Sequence, residues 1–311
     1  MSDTDTLVRI SRLYYELGET QERIAELVGL TRPQVSRLLK RARERAIVDI
    51  RVHDGTGTPS VAPVLQERFG LREVHLAPPV SGPEDILRRS VGRVAARVLR
   101  THVDDGCVLG MSDGVHMSAL ADALPEVSQP ISCIVVPLGG GWWFGGGREE
   151  PFRRVAQALG ATATSLYAPA VLPDAATRAA LDGHPSIGRV RALWSRMDVA
   201  VFGVGDRAWT AETFGQAALA DLDAAGAVGE IVVEPFDRSG RFVAPYLRER
   251  IIAVEPEALA RVPVTIAVAA GSSKVEPLLG ALRTGIIKVL VSDVATAEAV
   301  VEADRRAPAS T

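Results

Sequence analysis

The residues from Arg32 to Arg45, RPQVSRLLKRARER, carry six cations (Arg32, Arg37, Lys40, Arg41, Arg43 and Arg45) against one acid, Glu44. This is a formal charge of +5 inside a chain of 311 residues whose total is −3. Binding to a polyanion follows the local field and not the net charge, so the segment points to double-stranded DNA as a partner. The residue types divide by role. Lys40, Arg41 and Arg43 suit phosphate oxygens, which position a protein without specifying sequence. Gln34, Ser36 and Arg37 carry donors and acceptors that match base edges in a major groove. Arg32 opens the same cationic set.

A second group of candidate residues sits in five short loops, each directly after an apolar run: 110–114 (GMSDG), 139–147 (GGGWWFGGG), 168–170 (APA), 203–206 (GVGD) and 271–274 (GSSK). Glycine permits close backbone approach, and free amides at helix starts suit hydroxyl or phosphate groups. Lys274 is one of only three lysines among 35 basic residues, and an ammonium in such a loop can hold a ligand as a point charge. Ser112, Asp113 and His116 stand within one helical turn, which superficially suggests a nucleophilic triad. The run is GMSDG, however, and lacks the GxSxG elbow that would expose a serine nucleophile. The glycine loop is neither a Walker loop nor a GxGxxG fingerprint; Trp142 and Trp143 make it a lid or an aromatic wall. No pair of histidines or carboxylates has metal-ligand spacing, and no cofactor is expected.

The cations require a helix to present them. Ile24, Leu27 and Val28 fall at i, i+3, i+4, and Thr20 is placed to cap that helix. Gly29 supplies a left-handed turn, Thr31 caps a second helix with Pro33 in its first turn, and Val35, Leu38 and Leu39 repeat the spacing. Helix, glycine turn and capped helix make a helix-turn-helix. Leu7, Ile10, Leu13 and Tyr14 form a supporting stripe before it, ending near Gly18. After Arg45, Ile47, Val48, Ile50 and Val52 suggest a short extended segment, either a wing or an exit strand. The glycine, proline and small polar residues of 54–60 read as a linker, which predicts a DNA-binding domain over 1–54 and an effector-binding and oligomerisation domain over 55–311.

The loops require a sheet. From Val61 onward, apolar runs (VHLAPP, CVLGMSDG, ISCIVVPLGGG, TSLYAPA, VAVFGVGD, EIVVEPF, IIAVE, VTIAVAAGSSK and KVLVSD) alternate with helical stretches such as ILRRSVGRVAARVLRTHV. Continuous Val/Ile-rich runs are what parallel strands covered on both faces need. The second domain is therefore an open α/β sheet of Rossmann-like type. Ligands of such sheets bind outside the carboxyl ends of the strands, so the five loops predict one shared pocket.

At 47% hydrophobic and 23% charged, the composition is that of an ordinary globular protein. Cys107 and Cys133 lie in strand-like runs and suggest neither a disulfide framework nor a metal site. The acidic start MSDTDT is unlike a secretory signal, and no apolar run reaches the roughly 20 residues of a membrane span. A cytoplasmic protein that does not contact membranes is expected.

Taken together, TQERIAELVGLTRPQVSRLLKRARERAIVDIRV, QERFGLREVHLAP, GMSDGVHMSALADAL, GVGDRAW, GAVGEIVVEPFDRSG and AGSSKVEPLLGALRTGIIKVLVSDVATAEAVV resemble the SorC/DeoR-type bacterial transcriptional regulators. The effector domain of that family is related to sugar-phosphate isomerases of the glucosamine-6-phosphate deaminase type. The resemblance implies an oligomeric (dimeric or tetrameric) DNA-binding regulator of a carbohydrate or polyol catabolic operon, not an enzyme, controlled by a small sugar, polyol or sugar phosphate. By position it implies that Ser112, Gly139, Gly140, Asp206 and Lys274 line the effector site. Where the family has a GxSWGxT-like run, this chain has Asp113 for the tryptophan and His116 for the threonine, and Ala270 replaces a common glycine. Asp113 and His116 are thus expected to set its ligand preference, with the acid disfavouring a phosphate. The alternative from another class is a sugar-phosphate-processing enzyme with an accessory DNA-binding domain.

Overall fold

The computed structural model describes residues 3–45, 47–48, 61–80, 82–141, 149–208 and 214–306. The chain divides into two compact units, Met1–Gly57 and Thr58–Thr311. The expected boundary at Asp54, most of the expected wing and both tryptophans of the glycine loop lie outside the described residues.

The first unit is helical. Helix α1 (Asp3–Ser11) runs into a π-helical turn, Arg12–Glu16, followed by α2 (Gln21–Val28) and α3 (Arg32–Glu44). The Thr20 hydroxyl oxygen accepts a hydrogen bond from the Arg23 amide at 3.2 Å, and Gly29 closes α2 at φ +68°. At α3 the Gln34 side-chain oxygen accepts from both the amide (2.8 Å) and the hydroxyl (2.9 Å) of Thr31. This is the reciprocal half of a capping box, and it satisfies an orphan amide that the threonine alone would leave. Ile10, Ile24, Ala25, Val35 and Leu39 pack into one small core.

The second unit opens with α4 (Ala62–Phe69) and is built on a sheet of seven strands. These are β1 (Glu73–Ala77), β2 (Val108–Met111), β3 (Ile134–Pro137), β4 (Thr162–Ala163), β5 (Val199–Gly203), β8 (Val264–Val268) and β9 (Val289–Asp293), with a separate hairpin of β6 (Ala227–Ile231) and β7 (Glu234–Asp237). Their order is β1-β9-β8-β5-β2-β3-β4, and every pairing in the sheet is parallel. Side chains alternate between two cores. Val199 and Val201 of β5 enter one, Ala200 and Phe202 the other. Both faces are therefore covered, which is the condition for the continuous apolar runs.

Strands β2, β3 and β4 step outward in one direction and β5, β8 and β9 in the other. The neighbours β2 and β5 flank the reversal, the switch point at which open α/β sheets bind ligands. Three apolar runs depart from the expected strand reading. TSLYAPA and IIAVE form no ladder strand and are tied in by isolated bridges, Gly141 to Pro169, Val171 to Ile251 and Gly139 to Ala253. EIVVEPF is not a single strand but the turn of the β6–β7 hairpin, with Val232 at φ +48° and Val233 at φ +70°.

Helices α5 (Glu84–His102) and α6 (Val115–Ala123) pack on one face of the sheet and cross at Gly92. A Cβ on Gly92 would stand 2.5 Å from the Ala119 carbonyl oxygen, against backbone that cannot swing aside. Alanine would gain about 1 kcal/mol in helix propensity, whereas overpacking costs about 1–3 kcal/mol, with the upper end appropriate to a backbone clash. Gly92→Ala is expected to melt below the wild type in thermal denaturation. Melting at or above the wild-type temperature would contradict this close crossing.

Candidate functional site

In the helical unit, Val35, Leu39 and Ala42 of α3 are buried, and Arg32, Gln34, Ser36, Arg37, Lys40, Arg41 and Arg43 are all exposed. Helical spacing sets these into adjacent stripes: Gln34, Arg37 and Arg41 at i, i+3, i+7, and Ser36, Lys40 and Arg43 at i, i+4, i+7. Arg32 pairs with Glu22 at 3.2 Å and Lys40 with Glu44 at 3.7 Å. Both pairs are well exposed and so hold their partners weakly, leaving the cations available to phosphates. Gln34 reads differently from its expected role. Its side-chain oxygen serves the helix cap, so only its NH2 group is free to approach a base without loosening α3.

In the second unit, the loops after β2, β3, β5 and β8 converge on one cavity at the carboxyl ends of the strands. Of the expected residues, Ser112, Asp113, His116, Gly139, Gly140 and Lys274 line it. The Ser112 hydroxyl donates to the Asp113 carbonyl (3.1 Å) and accepts from the Gly203 amide (3.2 Å), tying the β2 loop to the end of β5. The Ser112 hydroxyl is thus engaged with backbone groups and not with His116, so Ser112, Asp113 and His116 do not form a nucleophile–base pair.

Two expected roles are corrected. Asp206 does not line the cavity; it holds Lys274, with Nζ 2.9 Å from its carboxylate and side chains only 12% and 19% exposed for Lys274 and Asp206 respectively. The lysine is therefore a paired cation, not an isolated point charge. Nor does Gly140 offer its amide to a ligand, because that N–H donates to the Ile252 carbonyl at 2.9 Å. Gly140 is needed for closeness instead: a Cβ there would meet the Ala168 carbonyl at 2.5 Å. The loop 168–170 supports the wall through Ala168, whose carbonyl accepts from the Gly141 amide at 2.8 Å, and does not line the cavity.

Glu150 and Glu230 also line the cavity, and neither is among the expected residues. Glu150 accepts from Arg153 at 2.8 Å. Glu230 is 5% exposed, and its carboxylate accepts from the Val233 amide, which holds the left-handed hairpin turn in place. A β-branched residue at positive φ is costly, and this bond offsets part of that cost. An acid beginning the run EIVVEPF was the available signal, since a charged residue in an apolar run is buried only with a purpose.

The electrostatics follow from burial. Desolvation pushes the Glu230 carboxyl up to about 7, against the Val233 amide and the Lys274 charge. Desolvation raises Asp113 as well, against the Gly114 amide. His116 is pushed down to about 4, first by burial and then by Lys274 and Arg88, so its imidazole is neutral at pH 7. Its Nε2 atom is buried without a hydrogen-bond partner. Among the described residues, no cluster of three or more His, Cys, Asp or Glu side chains is arranged to hold a metal ion, and no helix is long and apolar enough to cross a membrane.

A helix-turn-helix with an exposed cationic helix and a Rossmann-like unit with a strand-end cavity define a ligand-responsive transcriptional regulator. Residues 56–302 match the family described as "Putative sugar-binding domain". The chain is 30% identical over 310 residues to the sorbitol operon regulator of Klebsiella pneumoniae, covering 95% of this chain and 97% of that protein. It is 30% identical over 302 residues to the deoxyribonucleoside regulator of Bacillus subtilis, covering 94% and 96%. The crystal structure of the full-length sorbitol operon regulator SorC from Klebsiella pneumoniae matches with a TM-score of 0.80 at 28% identity, covering 97% of this chain and 99% of that one. The chain belongs to the SorC/DeoR-type transcriptional regulators and carries the sugar-binding domain of that family.

His116 and Glu230 pull stability in opposite directions with pH. Glu230, at about 7 when folded against an ordinary 4.5, keeps a proton that the unfolded chain has lost. Its contribution therefore falls as pH rises from about 4.5 to about 7. His116, at about 4 against 6.5, is neutral when folded while the unfolded imidazole is protonated, so its contribution rises between about 4 and 6.5. Each displacement corresponds to roughly 3 kcal/mol, and over the shared window the two largely cancel. Glu230→Gln should remove the falling limb, so that its unfolding free energy in urea climbs relative to wild type as pH is raised from 4.5 to 7. Parallel profiles for the two proteins would show that Glu230 is not protonated in the folded chain.

Proposed function

We propose that this regulator controls a carbohydrate or polyol catabolic operon, binding its operator as a homo-dimer or homo-tetramer in the cytoplasm and changing that binding when a small polyhydroxy effector enters the strand-end cavity. The observation that carries the reading is the cavity itself. It lies at the switch point between β2 and β5 and is lined by residues from four strand-end loops, with Ser112, Asp113, His116, Glu230 and Lys274 bringing polar groups to it. The relatives named as a sorbitol operon regulator, a deoxyribonucleoside regulator and, in Brucella abortus, an erythritol catabolism regulatory protein support the substrate class, two of the three names referring to polyols. Regulation, not turnover, is favoured because polar groups of the cavity are occupied by structural bonds: Ser112 by Gly203 and Asp113, Glu230 by Val233, and Lys274 by Asp206.

On the DNA side, α3 enters the major groove and the six cations of 32–45 divide between bases and backbone. A single motif of this size binds weakly, and two half-sites mirror the two-fold symmetry of a dimer. The domain limits 1–54 and 55–311 assign the first unit to DNA and the second to effector and self-association.

Two measurements test this reading on an operator selected from a random-sequence pool. Arg37→Ala is expected to cost about 1–3 kcal/mol on the operator through one lost bidentate base contact, with little effect on random DNA. Arg43→Ala should weaken both alike and make the salt slope shallower by about one. Equal losses for Arg37→Ala on operator and random DNA would remove it from the base-reading set. On the effector side, Lys274→Ala should keep operator affinity without effector and abolish the effector-dependent change in operator binding. An unchanged response at the wild-type effector concentration would place the effector elsewhere.

A further inference from the structure

We infer that Cys107 and Cys133 are a redox-sensitive pair, closing a reversible disulfide across the amino ends of β2 and β3 when the chain meets hydrogen peroxide. The inference is independent of the effector-site reading, because the pair lies at the end of the sheet opposite to the strand-end cavity.

The register of the sheet brings the two thiols together. They are the only cysteines of the chain, and both are free. Cys107 directly precedes Val108 and Cys133 directly precedes Ile134, and these two are partners in the parallel β2–β3 ladder. The Ile134 amide donates to the Cys107 carbonyl at 3.0 Å, so the pairing reaches back to the cysteines. The segments leading in are pinned side by side as well. The Gly106 amide donates to the Ser132 carbonyl at 2.6 Å, and the Ser132 amide donates to the Asp105 carboxylate at 2.7 Å. Cys107 enters the same core as Leu109 and Met111, and Cys133 the same core as Val135. Alternation along a strand therefore sets both side chains on one face. Neighbouring strands lie about 4.8 Å apart, inside the roughly 4.4–6.8 Å between Cα atoms that a disulfide spans.

A surface depression at these strand starts is lined by both cysteines together with Pro130, Ser132, Gly160 and Thr162. Cys107 is 9% exposed and Cys133 4%, so Cys107 meets the oxidant first. Exposure this small suits hydrogen peroxide and keeps out a tripeptide such as oxidised glutathione. The Cys107 sulfur attacks one peroxide oxygen: an S–O bond forms, the O–O bond breaks, and the departing hydroxide leaves as water with the thiol proton. The Cys133 sulfur then attacks the sulfenic sulfur. The S–S bond forms, the S–O bond breaks, and a second water leaves. Two thiols thus lose two electrons and two protons, and one peroxide becomes two waters. Parallel neighbours hold their Cβ atoms near the strand spacing, wider than the mean of about 3.8 Å in a relaxed disulfide. The closed bond is therefore strained and readily reduced, as redox-sensing disulfides of reducing compartments are.

The test treats the folded full-length protein, freshly reduced, with hydrogen peroxide, and in a parallel sample with oxidised glutathione. Glu126 is the single glutamate between the two cysteines, so cleavage at glutamate separates them unless they are joined. Peroxide is expected to remove both thiols together and to leave the two fragments linked. Dithiothreitol should release the fragments and restore both thiols, and oxidised glutathione should leave both thiols intact. Cys133→Ser should stop at the sulfenic acid of Cys107, trapped by dimedone. Should that variant fail to fold, the wild-type fragments decide the question alone. The rate of linking should change less than about twofold across urea concentrations below the unfolding transition, since the bond needs no opening of the chain. A rate that climbs steeply with urea overturns the proposal, because linking would then require an opened chain. Thiols that survive a peroxide concentration sufficient to link the urea-unfolded chain overturn it as well. So do sulfinic or sulfonic acids, bonds between copies of the chain, or a mixed disulfide with glutathione in place of the internal bond.

Discussion

The polar groups of the strand-end cavity are arranged around one constraint, the burial of the parallel sheet on both faces. Val199 to Phe202 alternate between two cores, and β2 and β9 are buried throughout. A strand covered on both sides has no exposed face on which to carry ligand-binding groups. Such groups can stand only where the backbone leaves the sheet, and the loops at the carboxyl ends of β2, β3, β5 and β8 are where they stand. The switch between β2 and β5 then opens a crevice between helices that run to opposite sides. The Ser112 hydroxyl, bonded to the Gly203 amide, fixes the spacing of that crevice.

The same burial governs the charges. Lys274 and Asp206 survive together because each is the other's partner; removing one would leave an uncompensated buried charge. Glu230 has no comparable cation and responds by holding its proton more tightly. His116 responds in the opposite sense and gives its proton up. A cavity that began with three acids, a lysine and a histidine thus presents fewer full charges than its residue types suggest, and its recognition depends correspondingly on hydrogen-bond direction.

How much of this was legible depended on whether a residue acts locally. The helix-turn-helix follows from neighbours in sequence: Thr20, Gly29, Thr31 and the buried Val35 and Leu39 each do what their spacing implies. The sheet was legible for a related reason, since double burial writes itself as an unbroken apolar run. That signal does not distinguish a strand from any other buried segment: Ile251 to Val254 are buried without joining the ladder, and TSLYAPA, which buries Leu166, Ala168 and Ala170 but exposes Tyr167 and Pro169, stays outside it as well. EIVVEPF misled because hairpin turns at positive φ ordinarily announce themselves with glycine or asparagine, whereas here two valines are held by a glutamate side chain. At the site, the loops were foreseeable and the pairings were not. That Asp206 acts through Lys274, and that the Gly140 amide is committed to Ile252, depend on chain segments far apart in sequence.

An effector moves a DNA-binding equilibrium only through the difference in its affinity for two states of the protein. Shifting a population from 1:99 to 99:1 takes about 5.5 kcal/mol of such difference. A buried polar group left without a partner costs about 1–3 kcal/mol, so one new hydrogen bond to an effector supplies part of that difference and not all of it. The remainder must come from further hydroxyl contacts that exist in one state only, which favours a ligand with several hydroxyl groups over one with a single anchor. By reciprocity the operator must weaken or strengthen effector binding by the same factor.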